Sequence, residues 1–91
     1  MQVKASHILV STEEEAKELL ERVQGGEDFA KLAQERSKCP SGRKGGDLGW
    51  FKRQQMVREF DRFCFSHKPG EMGIVKTQFG WHVIKITDFK R

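Results

Sequence analysis

The stretch GGDLGWFKRQQMVREF, running from Gly45 to Phe60, organises the rest of the chain. Its two glycines lead into an apolar strand predicted over residues 47–51, and a polar turn at residues 52–55 follows that strand. Beyond the turn, apolar residues recur at helical spacing, as Met56, Phe60, Phe63 and Cys64. The stretch therefore predicts a strand, a turn and a helix led by Met56, with the remainder of the fold built on either side.

The residues before this stretch predict one strand and two helices. Residues 3–10 alternate between two sets with β-branched side chains common, which is typical of a strand, and this strand carries His7. The capping-box pattern at residues 11–15 predicts the start of a helix, and Gly25-Gly26 predicts its end. Asp28 is placed to cap a second, shorter helix.

The remaining segments complete a small α+β domain. Residues 38–46 lack periodicity and contain a proline and three glycines, which predicts a surface loop. After the third helix, the sequence predicts a turn at Pro69-Gly70, a strand over residues 72–76, a tight turn at residues 78–80 and a strand over residues 81–89. The element order is β-α-α-β-α-β-β, and we expect the later strands to close as an antiparallel sheet.

The composition is that of an ordinary globular protein. The chain has 91 residues, 36% of them hydrophobic and 33% charged, which predicts one domain, residues 1–91, with a modest core. No apolar run approaches the length needed to span a membrane. The amino terminus MQVKASHILV is too short and too alternating for a signal peptide, so we expect a cytoplasmic protein. We also expect Cys39 and Cys64 to be reduced thiols.

The charge is unevenly distributed along the chain. Residues 1–35 carry four Lys or Arg against eight Asp or Glu, whereas residues 36–91 carry thirteen against five. A basic segment can attract nucleic acid or an acidic partner, although scattered basic residues are more often only a solvated face. The basic part lacks a motif in which basic residues alternate with exposed aromatics, which weighs against nucleic acid as a partner.

Three sets of residues are candidates for chemistry, and none is specific alone. His7 and His82 lie within strands, where a histidine is more often a core or edge residue than a catalyst. Cys39 stands at the entrance of the glycine-rich loop and is either a nucleophile or a small, partly buried thiol. The third set is apolar and forms either part of the core or the lining of an apolar cleft; its members are Leu48, Met56, Phe60 and Phe79. The cysteines and histidines lack the paired spacings of zinc sites, so we expect no metal and no other cofactor.

Several segments together resemble one family, the parvulin-type peptidyl-prolyl cis/trans isomerases. The matching segments occur in the family's order and span nearly the whole chain. They are ASHILV (residues 5–10), GGDLGWF (45–51), QMVREF (55–60), PGEMG (69–73) and TQFGWHVIKI (77–86). The resemblance implies a parvulin-like fold of the FKBP-like superfold, with a four-stranded antiparallel sheet flanked by three to four helices. This fold agrees with the element order predicted from periodicity.

The resemblance also implies roles for individual residues. His7 and His82 match the family's two facing histidines, which share a hydrogen-bond network across the sheet, and Cys39 and Thr77 match the polar partners beside them. The residues that match the apolar pocket for the substrate's proline ring are Leu48, Met56, Phe60 and Phe79. Val57 falls where other members often carry glutamine, and it is a candidate only for the rim of the pocket.

The implied function is cis/trans isomerisation of X-Pro bonds in proteins and peptides, as an aid to protein folding. Rotation about such a bond transfers no atom, so we expect a non-covalent mechanism in which His7, His82, Cys39 and Thr77 only tune and position. The expected partners are proline-containing polypeptides, bound by a monomer away from membranes. A second hypothesis is a chaperone-like or scaffolding domain that binds such segments with little turnover.

One departure from the resemblance concerns phosphate. Phosphate-directed members carry a cluster of Lys and Arg after the first strand, whereas this chain has STEEE at Ser11–Glu15, whose carboxylates repel phosphate. We therefore expect no preference for phosphoserine-proline or phosphothreonine-proline. A phosphopeptide isomerised much faster than its unphosphorylated twin would contradict this expectation.

Overall fold

The computed structural model describes all residues from Met1 to Arg91. Its strands are β1 (Gln2–Val10), β2 (Asp47–Phe51), β3 (Met72–Thr77) and β4 (Gly80–Lys90). Its helices are α1 (Glu13–Gln24), α2 (Phe29–Arg36), a 3₁₀ helix (Pro40–Lys44) and α3 (Arg58–Cys64). The strands form one antiparallel sheet in the order β2-β1-β4-β3. This architecture confirms the predicted fold class, and the 3₁₀ helix is an addition to the predicted element order.

The alternation of β1 and β4 divides the core between the two faces of the sheet. One face packs under α1 and α2, and its buried residues include Ile8, Val10, Leu19, Leu32 and Val83. The opposite face packs under α3, and its buried residues include Val3, Ala5, Phe60, Ile84 and Ile86. Burying each large aliphatic side chain stabilises the fold by about 1.5 to 3 kcal/mol. By the same alternation, His7 and His82 lie on the face that α3 covers.

The ends of the first two helices follow the sequence signals. The Thr12 hydroxyl accepts a hydrogen bond from the Glu15 N–H at 3.2 Å, and the Asp28 carboxylate accepts one from the Ala30 N–H at 3.2 Å. Caps of this kind contribute about 1 kcal/mol each. At the end of α1, Gly26 adopts a φ of 108° that other residues rarely reach. None of the helices combines the length and the apolar character that crossing a bilayer requires.

The structure differs from the prediction at two places near the opening stretch. Within the predicted loop at residues 38–46, a 3₁₀ helix runs from Pro40 to Lys44 and is followed by Gly45, whose φ is 73°. The fixed φ of proline suits a first helical turn, and glycine suits a left-handed stop. The prediction that the third helix begins at Met56 was wrong. Because Val57 is extended, with φ −57° and ψ 151°, α3 begins only at Arg58.

Candidate active site

A cleft of about 370 Å³ opens on the face of the sheet that carries α3. Its lining residues are His7, Leu9, Lys38, Cys39, Pro40, Leu48, Met56, Val57, Phe60, Phe79 and His82. The structure thus brings together all the apolar candidates and three of the four polar candidates. The fourth, Thr77, is hydrogen-bonded to His82 without lining the cleft. Sequence reasoning missed Leu9, Lys38 and Pro40, which no pattern connects to the other residues of the cleft.

The apolar walls of the cleft differ in how firmly they are held. Phe60 is 2% exposed, and its ring lies edge-on to both histidine rings, with centroid distances of 5.5 Å to His7 and to His82. The half-buried walls, which pack against the core beneath the cleft, are Leu48, Met56 and Val57. Phe79 lies in the turn between β3 and β4 and is 61% exposed. The cleft therefore has a firmly packed base, formed by Phe60, and one solvent-exposed wall, formed by Phe79.

Two histidines on neighbouring strands form the centre of a hydrogen-bond chain. The Nδ1 atoms of His7 and His82 are 2.9 Å apart. On one side, His82 Nε2 lies 2.7 Å from Thr77 Oγ1, which also accepts a hydrogen bond from the Phe79 N–H at 3.2 Å. On the other side, His7 Nε2 lies 3.1 Å from Ser41 Oγ. The chain therefore runs from the β3–β4 turn, through the sheet, to the 3₁₀ helix.

The environment of the two hydroxyl groups assigns a direction to this chain. Thr77 is 6% exposed, and the only acceptor within reach of its hydroxyl hydrogen is His82 Nε2. His82 Nδ1 then carries a hydrogen and donates to His7 Nδ1, and His7 Nε2 donates to Ser41. In the reverse direction, the buried Thr77 hydroxyl hydrogen would lack an acceptor, which is costly. In the assigned direction, the hydroxyl hydrogen without a partner in the chain is that of Ser41. Because Ser41 is half-buried, water can accept this hydrogen bond.

Both histidines are held in the neutral form at neutral pH. Burial, together with the proximity of His82, lowers the pKa of His7 to about 4. Burial also lowers the pKa of His82. An imidazolium in either position would lose its hydration, and it would face the second ring instead of an anion. The base of the cleft is therefore polar but uncharged.

Ser41, rather than Cys39, completes the hydrogen-bond chain. The Cys39 thiol lines the cleft without making a hydrogen bond, whereas its backbone N–H donates to Ser37 Oγ at 3.3 Å. The 3₁₀ helix brings Ser41 to His7 across 34 residues of sequence. No sequence pattern marks Ser41, because its place depends on a helix that the sequence did not predict. The second thiol, Cys64, is fully buried, and burial raises its pKa to about 12, which makes it unreactive.

The side chain of Asp61, in α3, holds the turn that precedes Met56. The Asp61 side chain is 7% exposed and accepts two hydrogen bonds of 2.9 Å, from Arg53 Nε and from the Gln54 backbone N–H. Gln54 has a φ of 70°, a left-handed conformation that costs a non-glycine residue about 1 to 2 kcal/mol. Asp61 thus stabilises a strained turn two residues before Met56. Sequence reasoning missed this role because an aspartate on a helix is normally exposed.

The structure offers no group of three or more His, Cys, Asp or Glu side chains placed to hold a metal ion. The polar residues that line the cleft are the histidine pair, Cys39 and Lys38.

Comparison with known proteins identifies the family of this fold and cleft. The model of the PPIC-type PPIase domain matches residues 1–90. The foldase protein PrsA of Geobacillus kaustophilus is 50% identical over 88 residues, which cover 94% of this chain and 31% of that protein. The chain thus spans about a third of the length of the curated PrsA relatives it matches.

Two solved structures superpose closely on the chain. PrsA from Bacillus anthracis gives a TM-score of 0.96 at 41% identity and covers 99% of this chain, which corresponds to 42% of that one. NmPin, the parvulin of Nitrosopumilus maritimus, gives a TM-score of 0.86 at 41% identity, with 94% of this chain and 95% of that one covered. Because the family model covers nearly the whole chain and NmPin matches over nearly its full length, the chain belongs to the PPIC-type, or parvulin-type, family of peptidyl-prolyl isomerase domains.

Proposed function

We propose that this domain catalyses cis/trans isomerisation of X-Pro bonds in proline-containing polypeptides, without a covalent intermediate, and that it assists their folding. The observation that carries the proposal is the cleft itself, in which apolar walls surround an uncharged histidine pair. The family membership and the PrsA relatives, which are named foldases, support the same function.

The geometry suits a reaction in which a bond rotates and no atom is transferred. Amide resonance imposes a barrier of about 18 to 20 kcal/mol, and in the twisted transition state the carbonyl loses that resonance. Walls such as Phe60 and Met56 grip the proline ring and exclude the water that solvates the planar amide, which favours twisting. Lowering the barrier by about 5 kcal/mol would accelerate exchange on the order of thousandfold.

Truncating one wall of the cleft tests this function. We expect Met56→Ala to lower kcat/KM by about fivefold to tenfold, because the side chain loses its contact with the proline ring. Met56 is only half-buried, so the stability should change by about 1 kcal/mol or less. The measurement is cis/trans exchange of a peptide series that varies the residue before proline.

The matched control is Val23→Ala, which truncates a half-buried residue on the opposite face of the sheet. This variant should leave kcat/KM unchanged. If the unmodified chain accelerates exchange in no member of the series, the isomerase proposal fails. Peptide binding without accelerated exchange would instead favour the second candidate, a chaperone-like or scaffolding domain that holds proline-containing segments in the same cleft.

The position of Cys39 gives a test of the non-covalent mechanism. Its thiol has no hydrogen bond to either histidine, so no base is placed to activate it as a nucleophile. We expect Cys39→Ala to retain activity, with a loss in kcat/KM of less than about tenfold from the altered cleft lining. A folded variant with no measurable exchange catalysis would contradict this mechanism, and circular dichroism provides the check on folding.

Three further parts of the proposal depend on the sequence alone. The absence of a preference for phosphorylated substrates rests on the acidic segment Ser11–Glu15. The monomeric state and the cytoplasmic location stay predictions, which ultracentrifugation and cell fractionation test.

A further inference from the structure

A second depression, of about 500 Å³, lies directly beside the cleft. Its lining residues are Arg53, Gln54, Met56, Arg58, Asp61 and Arg62, and we call it the arginine groove. Met56 lines both the cleft and the groove, so a single side chain separates them. A polypeptide whose proline occupies the cleft therefore has the arginine groove within reach of its neighbouring residues, which follow one another at about 3.3 Å in an extended chain.

The groove carries unbalanced positive charge. Three of its residues are arginines and one is an aspartate. The Asp61 carboxylate is already occupied by Arg53 Nε and the Gln54 N–H, at 2.9 Å each. Arg58 and Arg62 form no ion pair with any carboxylate of the chain. The second acidic residue between them in sequence, Glu59, does not line the groove.

The two unpaired arginines repel each other along α3. Arg58 is the first residue of α3, where the helix dipole disfavours a positive charge. Arg58 and Arg62 are four residues apart, so their like charges face each other along the helix and destabilise it. Glu59 and Asp61 in the first turn offset part of the dipole effect. The repulsion between the two arginines remains, and a local conflict of this kind is typical of residues whose role lies in binding.

We propose that the arginine groove binds an acidic side chain, Asp or Glu, one to three residues from the proline of the substrate, so that the domain prefers acidic proline-containing segments. This inference rests on the proposed isomerase function and extends it to the class of substrate. A carboxylate in the groove supplies the anion that Arg58 and Arg62 lack. Because both arginines are exposed, the attraction depends strongly on salt.

The test is a series of matched peptides with one proline and either Glu or Gln at each position up to three residues before or after it. We expect kcat/KM for the best Glu peptide to exceed that of its Gln twin by about threefold to tenfold at low salt. The ratio should approach one at about 0.5 M salt. In the double variant Arg58→Gln/Arg62→Gln, the Glu-to-Gln ratio should fall to about one at low salt as well. The control is Lys17→Gln/Lys31→Gln, which removes the same charge from α1 and α2, the helices on the opposite face of the sheet, and should keep the ratio.

The outcomes separate this inference from the function on which it rests. A Glu-to-Gln ratio of one or less at every position, or a ratio that survives the loss of Arg58 and Arg62, would overturn the inference while isomerisation stands. If no peptide is isomerised, the proposed function fails. The arginine groove is then tested by binding: NMR titration gives the Kd values of the Glu and Gln peptides, and we expect the Glu peptide to bind about threefold to tenfold more tightly at low salt. A phosphoserine peptide bound far more than tenfold tighter than its Glu twin would assign the groove to phosphate instead of carboxylate, and it would also contradict the expected absence of a phosphate preference.

Discussion

Replacing Asp61 by alanine should reduce both the stability of the domain and its activity. The side chain is 7% exposed, and its two hydrogen bonds hold the turn at Gln54 in a left-handed conformation. Hydrogen bonds to a charged group contribute about 1.5 to 3 kcal/mol each, but Arg53 and Gln54 can both turn to water when the carboxylate is lost. We therefore expect the free energy of unfolding to fall by about 2 kcal/mol.

The activity of the Asp61→Ala variant should fall further than its stability explains. Without the carboxylate, the turn relaxes and Met56 no longer occupies a fixed position at the cleft, so kcat/KM should drop by about tenfold at temperatures where the variant is folded. Urea unfolding gives the stability, and peptide exchange gives kcat/KM. Ile84→Val, a buried change on the same face of the sheet, is the control for destabilisation alone. Activity equal to that of this control would show that Asp61 does not position the cleft.

Two milder variants identify which hydrogen bond matters. Arg53→Ala removes a residue whose side chain is 55% exposed and should change the stability by about 1 kcal/mol or less. Asp61→Asn keeps an oxygen that can accept from the Gln54 N–H. If the backbone bond to Gln54 positions Met56, Asp61→Asn should recover most of the activity that Asp61→Ala loses.

Acidification should destabilise the domain through its histidine pair. In the unfolded chain His7 takes up a proton near pH 6.5, whereas in the folded protein its pKa is about 4. Between these values the unfolded state binds more protons, so stability is full above the higher pKa and falls as the pH drops toward the lower one. From about pH 7 to about pH 5, His7 alone should lower the free energy of unfolding by about 2 kcal/mol. His82 acts in the same direction.

The pH dependence can be assigned by comparing variants. Urea unfolding at several pH values between about 5 and 7, where most carboxylates stay ionised, gives the slope of the unfolding free energy against pH. His7→Gln should flatten the slope, because it removes the main group whose proton uptake differs between the two states. Ile8→Val, a buried change on the adjacent residue, should lower the stability but keep the slope. A slope that is the same in His7→Gln as in the unmodified chain would contradict the assignment.

The sequence predicted the fold because its signals are local. Alternation marked β1 and β4, capping residues marked α1 and α2, and the strand over residues 47–51 was predicted with its observed bounds. The start of α3 was misplaced because Met56 and Phe60 have helical spacing for a different reason. Both residues face the cleft, one from an extended segment and one from the helix. Spacing alone does not distinguish these two situations.

The candidate site was predictable only in part. The apolar residues and the histidines came from the resemblance, and the structure places them around one cleft. Ser41 and Asp61 were missed because their roles depend on how other segments of the chain fold against them. Ser41 reaches His7 only through an unpredicted 3₁₀ helix, and Asp61 acts only because the chain before α3 folds back on it. Neither contact has a signature in the residues next to it.

The exposed Phe79 wall has a consequence for how the cleft responds to an occupant. Its backbone N–H donates to Thr77, and the Thr77 hydroxyl in turn holds His82 in its tautomer. The other walls are packed into the core, so this turn is the part of the cleft that an incoming ring can displace. The Thr77 hydroxyl contacts both this turn and the histidine pair. A substrate ring that displaced the turn would therefore also change the hydrogen bond between Thr77 and His82.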